Sequence, residues 1–188
     1  MNIFCKYFLF TCVILGLISC SNDMEVLGRI IDPEEVPDVY ATNVEVFYTD
    51  SARLQMKMTT PLLRQFAEVK EPRNEFPEGI HVWLYEKTGE LKAEITANWA
   101  NQDQTTNIWE ARSNVILTND KGEKLETEQL FWDQAKAQIY SNKFTKYTDS
   151  VGTIATGRNG MRANQDFSKW ELLSGGATIM FEDEKTNE

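Results

Sequence analysis

The chain has 188 residues, 29 acidic against 19 basic for a net charge of −10, and 41% of its side chains are hydrophobic. So acidic a protein is a poor partner for nucleic acid or anionic membrane surfaces, whose phosphates call for a basic face. The length suits one domain with a substantial core.

An apolar run from Tyr7 to Ile18 follows the single charge of Lys6 and closes on Leu17-Ile18-Ser19-Cys20. It is too short to span a bilayer and ends in small residues, as a cleaved export signal does. Its last four residues match a bacterial lipobox. Residues 1–19 are therefore predicted to be a lipoprotein signal peptide, and Cys20 the acylated first residue of the mature chain. Cleavage there leaves 169 residues with 18 basic and 29 acidic side chains. Cys5 and Cys12 go with the signal and Cys20 carries lipid, so no thiol remains for a disulfide or a zinc site. Residues 20–38 are acidic and polar, hold Pro33 and Pro37, and show no sustained amphipathic period, which reads as a flexible tether. Fully extended, its roughly 18 residues would reach about 60 Å.

From residue 39 to 181 the pattern is short strands. Val44-Glu45-Val46, Leu54 to Met58, Ala93 to Ala97 and Ala137 to Tyr140 alternate apolar with polar, and Thr88-Gly89, Asn119 to Gly122 and Ser174-Gly175-Gly176 supply turns. Thr59 to Lys70 could be a helix but contains Pro61 and reads equally as a strand with its flanking turn. Lys70 to Gly79 reads as a loop between strands, and 182–188 as a frayed acidic tail. Ile95-Thr96-Ala97, Leu125-Glu126-Thr127 and Ile154-Ala155-Thr156 recur at spacings of 30 and 29 residues. Ile108-Trp109, Ile139-Tyr140 and Trp170-Glu171 recur at 31 and 31. Such periods mark stacked strand units that bury one continuous face together. Between Leu125-Thr127 and Leu130-Trp132 the apolar phase slips by one, the mark of a bulge where a strand bends.

The order of Ile108 to Ala111, Asn114 to Leu117, Leu125 to Asp133 and Gly157 to Asn164, behind an export signal, resembles the LptC and OstA-like proteins of lipopolysaccharide export. The resemblance implies an all-β fold, an open, V-shaped antiparallel β-jelly roll whose apolar groove holds acyl chains. It further implies a carrier that takes lipopolysaccharide or its lipid A part from an inner-membrane ABC transporter and passes it to a periplasmic jelly-roll bridge protein. On that reading the chain sits, lipid-anchored, at the periplasmic face of the inner membrane. Ser21 would send an enterobacterial lipoprotein to the outer membrane instead, so the outer membrane stays open. The enterobacterial form is anchored by an uncleaved transmembrane helix, where this chain carries a lipobox.

Groove candidates are Trp83, Ile95, Trp99, Trp109, Val115, Leu117, Leu130, Trp132, Ile139 and Ile154, since each methylene taken from water contributes about 0.8 kcal/mol. Core filling is the plainer account of the tryptophans. No catalytic residue, metal ligand or cofactor is expected. His81 is the only histidine, no G-x-S-x-G elbow positions a serine, and no Walker A motif is present. Glu126 and Glu128 stand at polar phases of an alternating strand, a solvated face and not a hydrolase pair. The competing reading from another class is a cell-surface lipoprotein that binds glycans or partner proteins through exposed aromatics on one outer face.

Overall fold

Alternating residues punctuated by turn formers fold here as fourteen strands in one antiparallel sheet. The computed structural model describes residues 36–165, 167–174 and 177–182, the last six through their backbone alone. The expected signal peptide, the lipidation site Cys20, the tether up to residue 35 and residues 183–188 lie outside the described residues. In chain order the strands are β1 (Val39–Asp50), β2 (Arg53–Phe66), β3 (Arg73–Phe76), β4 (Ile80–Tyr85), β5 (Leu91–Ala97), β6 (Trp99–Asp103) and β7 (Ile108–Asn119). They continue as β8 (Lys124–Asp133), β9 (Gln138–Ser141), β10 (Thr145–Thr148), β11 (Ile154–Gly157), β12 (Met161–Asn164), β13 (Lys169–Ser174) and β14 (Ala177–Glu182). No helix occurs among the described residues. Thr59 to Phe66 belongs to β2, and the expected loop from Lys70 to Gly79 contains β3. Four residues of mixed polarity gave β3 no readable alternation.

The sheet divides into two walls. One runs β1-β2-β4-β5-β7-β8-β10-β11, the other β1-β2-β3-β6-β7-β8-β9-β12-β13-β14. Strands β1, β2, β7 and β8 serve both walls, so each turns a corner midway. In β2 the corner falls at Thr60-Pro61-Leu62, where proline has no N–H to lose from a ladder. In β7 it falls at Ser113 and Asn114, both left-handed at φ 62° and 54°, and the β7–β8 register shifts between Arg112 and Val115. That bulge is the one the phase slip in β8 predicts.

A corner frees backbone groups that a straight ladder would pair, and buried hydroxyls take them up. Thr60 Oγ1 donates to Gly79 O at 2.8 Å and accepts from the Leu62 N–H at 3.3 Å. Thr127 Oγ1 donates to Phe144 O at 3.0 Å, Ser141 Oγ accepts from the Lys143 N–H at 3.0 Å, and Thr145 Oγ1 donates to Lys143 O at 3.1 Å. These four account for all but Asp133 of the buried polar side chains among the described residues. Along this crease threonine and serine hold the bend together. Thr127→Val keeps the shape and removes the donor to Phe144 O. It should lower the free energy of unfolding by about 1–3 kcal/mol, the cost of a buried polar group left without its partner, read from urea denaturation. A change below a few tenths would show that the corner does not depend on this hydroxyl.

Candidate functional site

Cross-strand register aligns the inward-facing residues of each wall into rows. On the first wall Val46, Met58, Val82, Ile95, Leu117, Leu125, Tyr147 and Ala155 stand opposite one another across eight strands. On the second wall the row is Gln102, Trp109, Trp132, Ile139, Ala163 and Trp170. The walls face a shared, half-open trough of about 1090 Å³ that extends across the strands from Val46 to Trp170. This volume exceeds the roughly 300–1,000 Å³ of ordinary small-molecule pockets. At the crease the walls meet in one core that includes Met58, Val82, Ala100, Leu130, Met161 and Leu172. Near the far end Tyr147 of one wall meets Trp170 of the other, ring centroids 4.6 Å apart. The mouth is polar: Lys92, Asn119, Lys121 and Glu123 line it on the first wall, and Gln134, Gln165 and Ser168 on the second.

Of the ten residues expected in a groove, the structure brings six to the trough: Ile95, Trp109, Leu117, Leu130, Trp132 and Ile139. Four stand elsewhere, each for a reason of phase or depth. Val115 shares the inward phase of Leu117 but is fully buried in the crease core. Trp83 follows the inward-facing Val82 and so points outward, its ring stacked on His81 at 3.7 Å and 5.4 Å from Lys57 Nζ. Trp99 would continue the inward phase of Ile95 and Ala97, but the strand breaks at Asn98, whose N–H bonds Ser113 O at 3.0 Å, and Ala100 faces inward instead. Trp99 lies outside under the Arg112 guanidinium at 4.6 Å. Ile154 misses by one residue: Tyr147 pairs with Ala155, which lies 30 residues beyond Leu125, and Ile154 is left 58% exposed. Because Trp83 and Trp99 stand on different walls, they do not form one outer aromatic face. Met58, Val82 and Tyr147, not among the groove candidates, line the trough and lie in the register rows, a signal available only once the pairings are known; Trp170, read in the sequence only as a repeat position, joins them.

Among the described residues the charged groups lie on the outside and the rim, apart from the buried Asp133. His81 Nε2 lies 2.8 Å from Glu94 Oε2 on the outer face of the first wall. Glu126 bridges β8 and β10 by accepting from Lys124 Nζ and Lys146 Nζ, each at 2.9 Å, and these two bonds, Lys124 first, hold its carboxyl below the usual range. Backbone N–H groups do the same at three chain reversals: Ala67 then Glu68 for Asp38, Thr106 for Asp103 and Thr153 for Asp149. Asp133 is lowered by the side-chain bond from Lys136, with the Lys136 N–H next. A carboxyl whose folded value is depressed contributes stability that is present above its unfolded value and is lost as pH falls through the folded one. Thermal midpoints should therefore hold from about pH 7 to about pH 5 and drop below about pH 4, where unfolded carboxyls titrate. Scans at a series of pH values check this, and a midpoint that rises on acidification would contradict it. Among the described residues no group of three His, Cys, Asp or Glu is placed to hold a metal.

Two antiparallel walls that leave an apolar trough open between them make this protein an open β-jelly roll. Within that class the chain is a member of the LptC family: the family model described as lipopolysaccharide-assembly, LptC-related matches residues 9–180. Members of that family act in lipopolysaccharide transport as periplasmic components associated with the inner membrane, and not as enzymes. A search of curated proteins found no match.

Proposed function

We propose that this protein is a lipid-anchored carrier on the periplasmic side of the inner membrane, acylated at Cys20, that receives lipopolysaccharide from an ABC transporter and hands it to a periplasmic bridge protein. The observation that carries the reading is the continuous apolar trough, open on one side and crossed by rows of near-equivalent aliphatic and aromatic residues. Repeated similar sites let an acyl chain advance without a deep trap, and direction comes from the transporter's ATP cycle. No cofactor is required. Partners would add at the free edges: among the described residues β1 pairs only with β2 and β14 only with β13, and β1 exposes Val39, Tyr40, Phe47 and Tyr48. Such edges accept another sheet by strand addition.

A photo-crosslinking residue placed in turn at Ile95, Leu117 and Ile139 in living cells should give lipopolysaccharide adducts that depend on ATP hydrolysis. The outward-facing Glu94 should give none. An exported, folded protein without adducts at any of the three positions rules the conduit out and returns the surface-binding module to first place.

A further inference from the structure

The second wall of the trough changes character from crease to mouth. Closest to the crease it is lined by Ala100, Ala111 and Leu130, then by Trp109 and Trp132, and at the mouth by Gln134, Gln165 and Ser168. Trp109 and Trp132 are direct partners across β7 and β8, so the two indoles form one rung at the boundary between apolar and polar lining. Both indole Nε1 atoms are shut off from solvent and neither has a hydrogen-bond acceptor. A buried donor without an acceptor costs about 1–3 kcal/mol, and buried tryptophan N–H groups usually have a partner. Phenylalanine would line the trough without that cost. Both rings are only part-buried and line the trough, so turning a ring about its side-chain bonds would aim its N–H at an occupant. An occupant whose apolar chains point to the crease and whose polar end stands at the mouth places its linkage atoms at this depth.

We propose that Trp109 and Trp132 are specificity-determining residues that hydrogen-bond the carbonyl oxygens joining acyl chains to a polar head, so that the trough selects ester- or amide-linked acyl lipids over other hydrocarbon chains of equal length. The proposal rests on the trough being a lipid site. No covalent step is involved; the indoles donate and the carbonyls accept. Trp109 is further held by stacking on Phe76, centroids 5.6 Å apart.

The test uses the full chain held in an amphipathic polymer and titrated calorimetrically with a short-chain diester phosphatidylcholine and its diether analogue, which keeps the chains and head group and lacks the two carbonyls. The wild type should bind the diester about three- to ten-fold more tightly, the range one hydrogen bond supplies. Trp109→Phe with Trp132→Phe should bring that ratio to near one, with any loss of lining contact weakening both lipids alike. Trp132→Phe alone serves if the double variant folds poorly, and should at least halve the preference. Equal binding of both lipids by the wild type, or a preference that survives in the folded variants, overturns the role of the indoles and leaves the trough standing. Failure of both lipids to bind overturns the lipid-trough reading and this proposal with it.

Discussion

Gly160→Ala should destabilise the domain by about 3–5 kcal/mol, a third or more of the stability of an ordinary domain and in the range that signals a specific structural fault. Gly160 has φ +103°, a conformation that side chains rarely adopt, and a Cβ built there would stand 1.9 Å from Ser141 O and 2.6 Å from its carbonyl carbon. Both obstacles are backbone and cannot rotate away. They are also held: Ser141 O accepts from Arg162 Nη1 at 2.7 Å, and the Ser141 hydroxyl belongs to the buried set that closes the crease. The added carbon would have to push β12 off β9 in the wall that carries Ile139. Gly89→Ala is the matched comparison, because Gly89 has φ +91° and open space around its Cβ. It should cost only the backbone strain of a positive φ, about 1–3 kcal/mol. Chemical denaturation of the two variants separates strain from collision, and equal losses would show that the approach of Gly160 to Ser141 carries no penalty of its own.

The crease also explains which parts of this protein its sequence discloses. Strand content, the hairpin turns at Gly89 and Gly122, and the bulge beside Leu130 are local properties, set by alternation and by residues that tolerate unusual backbone angles, and they read directly. The trough depends on which face each alternating segment turns inward, and each corner resets that choice. Ile95, Leu117 and Ile139 keep the phase that alternation within their own strands indicates. Trp99 loses it because Asn98 interrupts the path between β5 and β6. Trp83 sits in the run Ile80-His81-Val82-Trp83-Leu84, where apolar residues occupy both phases, and only pairing with β5 decides that Val82 faces in. Ile154 follows a repeat whose third unit the eye begins one residue early, while the pairing of β10 with β11 keeps a spacing of 30. Trp109, Trp132 and Trp170 line the trough and Trp83 and Trp99 do not, so the aromatic side chain alone does not decide the matter, and strand phase does until a corner intervenes. Buried Thr60 and Thr145 carry no sequence signal, because a threonine that closes a corner looks the same as one that faces water, whereas Thr127 shares the apolar phase of Leu125.

Ile95→Glu should abolish lipopolysaccharide delivery while leaving the domain folded. Ile95 stands near the middle of the first wall, between Val82 and Leu117, and is only part-buried, because the trough it lines is open. In the empty protein a carboxylate there remains hydrated, so folding loses little beyond one isoleucine contact. An acyl chain sliding past must strip that water, and an unpaired carboxylate taken out of water costs several kcal/mol even after relaxation. At about 1.4 kcal/mol per decade, a cost near 3 kcal/mol already slows passage by roughly two orders of magnitude. Thr96→Glu introduces the same side chain one residue away on the outer phase, beside Ile116, and should leave delivery intact. Ile95→Leu keeps an apolar wall and should also be silent. Cells depleted of the native protein and supplied with each variant report the result as growth and as lipopolysaccharide reaching the outer membrane. Normal delivery by a folded, exported Ile95→Glu protein would mean that acyl chains do not travel between these walls, whatever else the trough binds. Loss with Thr96→Glu as well would locate the defect in the sheet itself. The adjacent pair therefore separates the trough from the wall that forms it, which a larger deletion of either strand could not do.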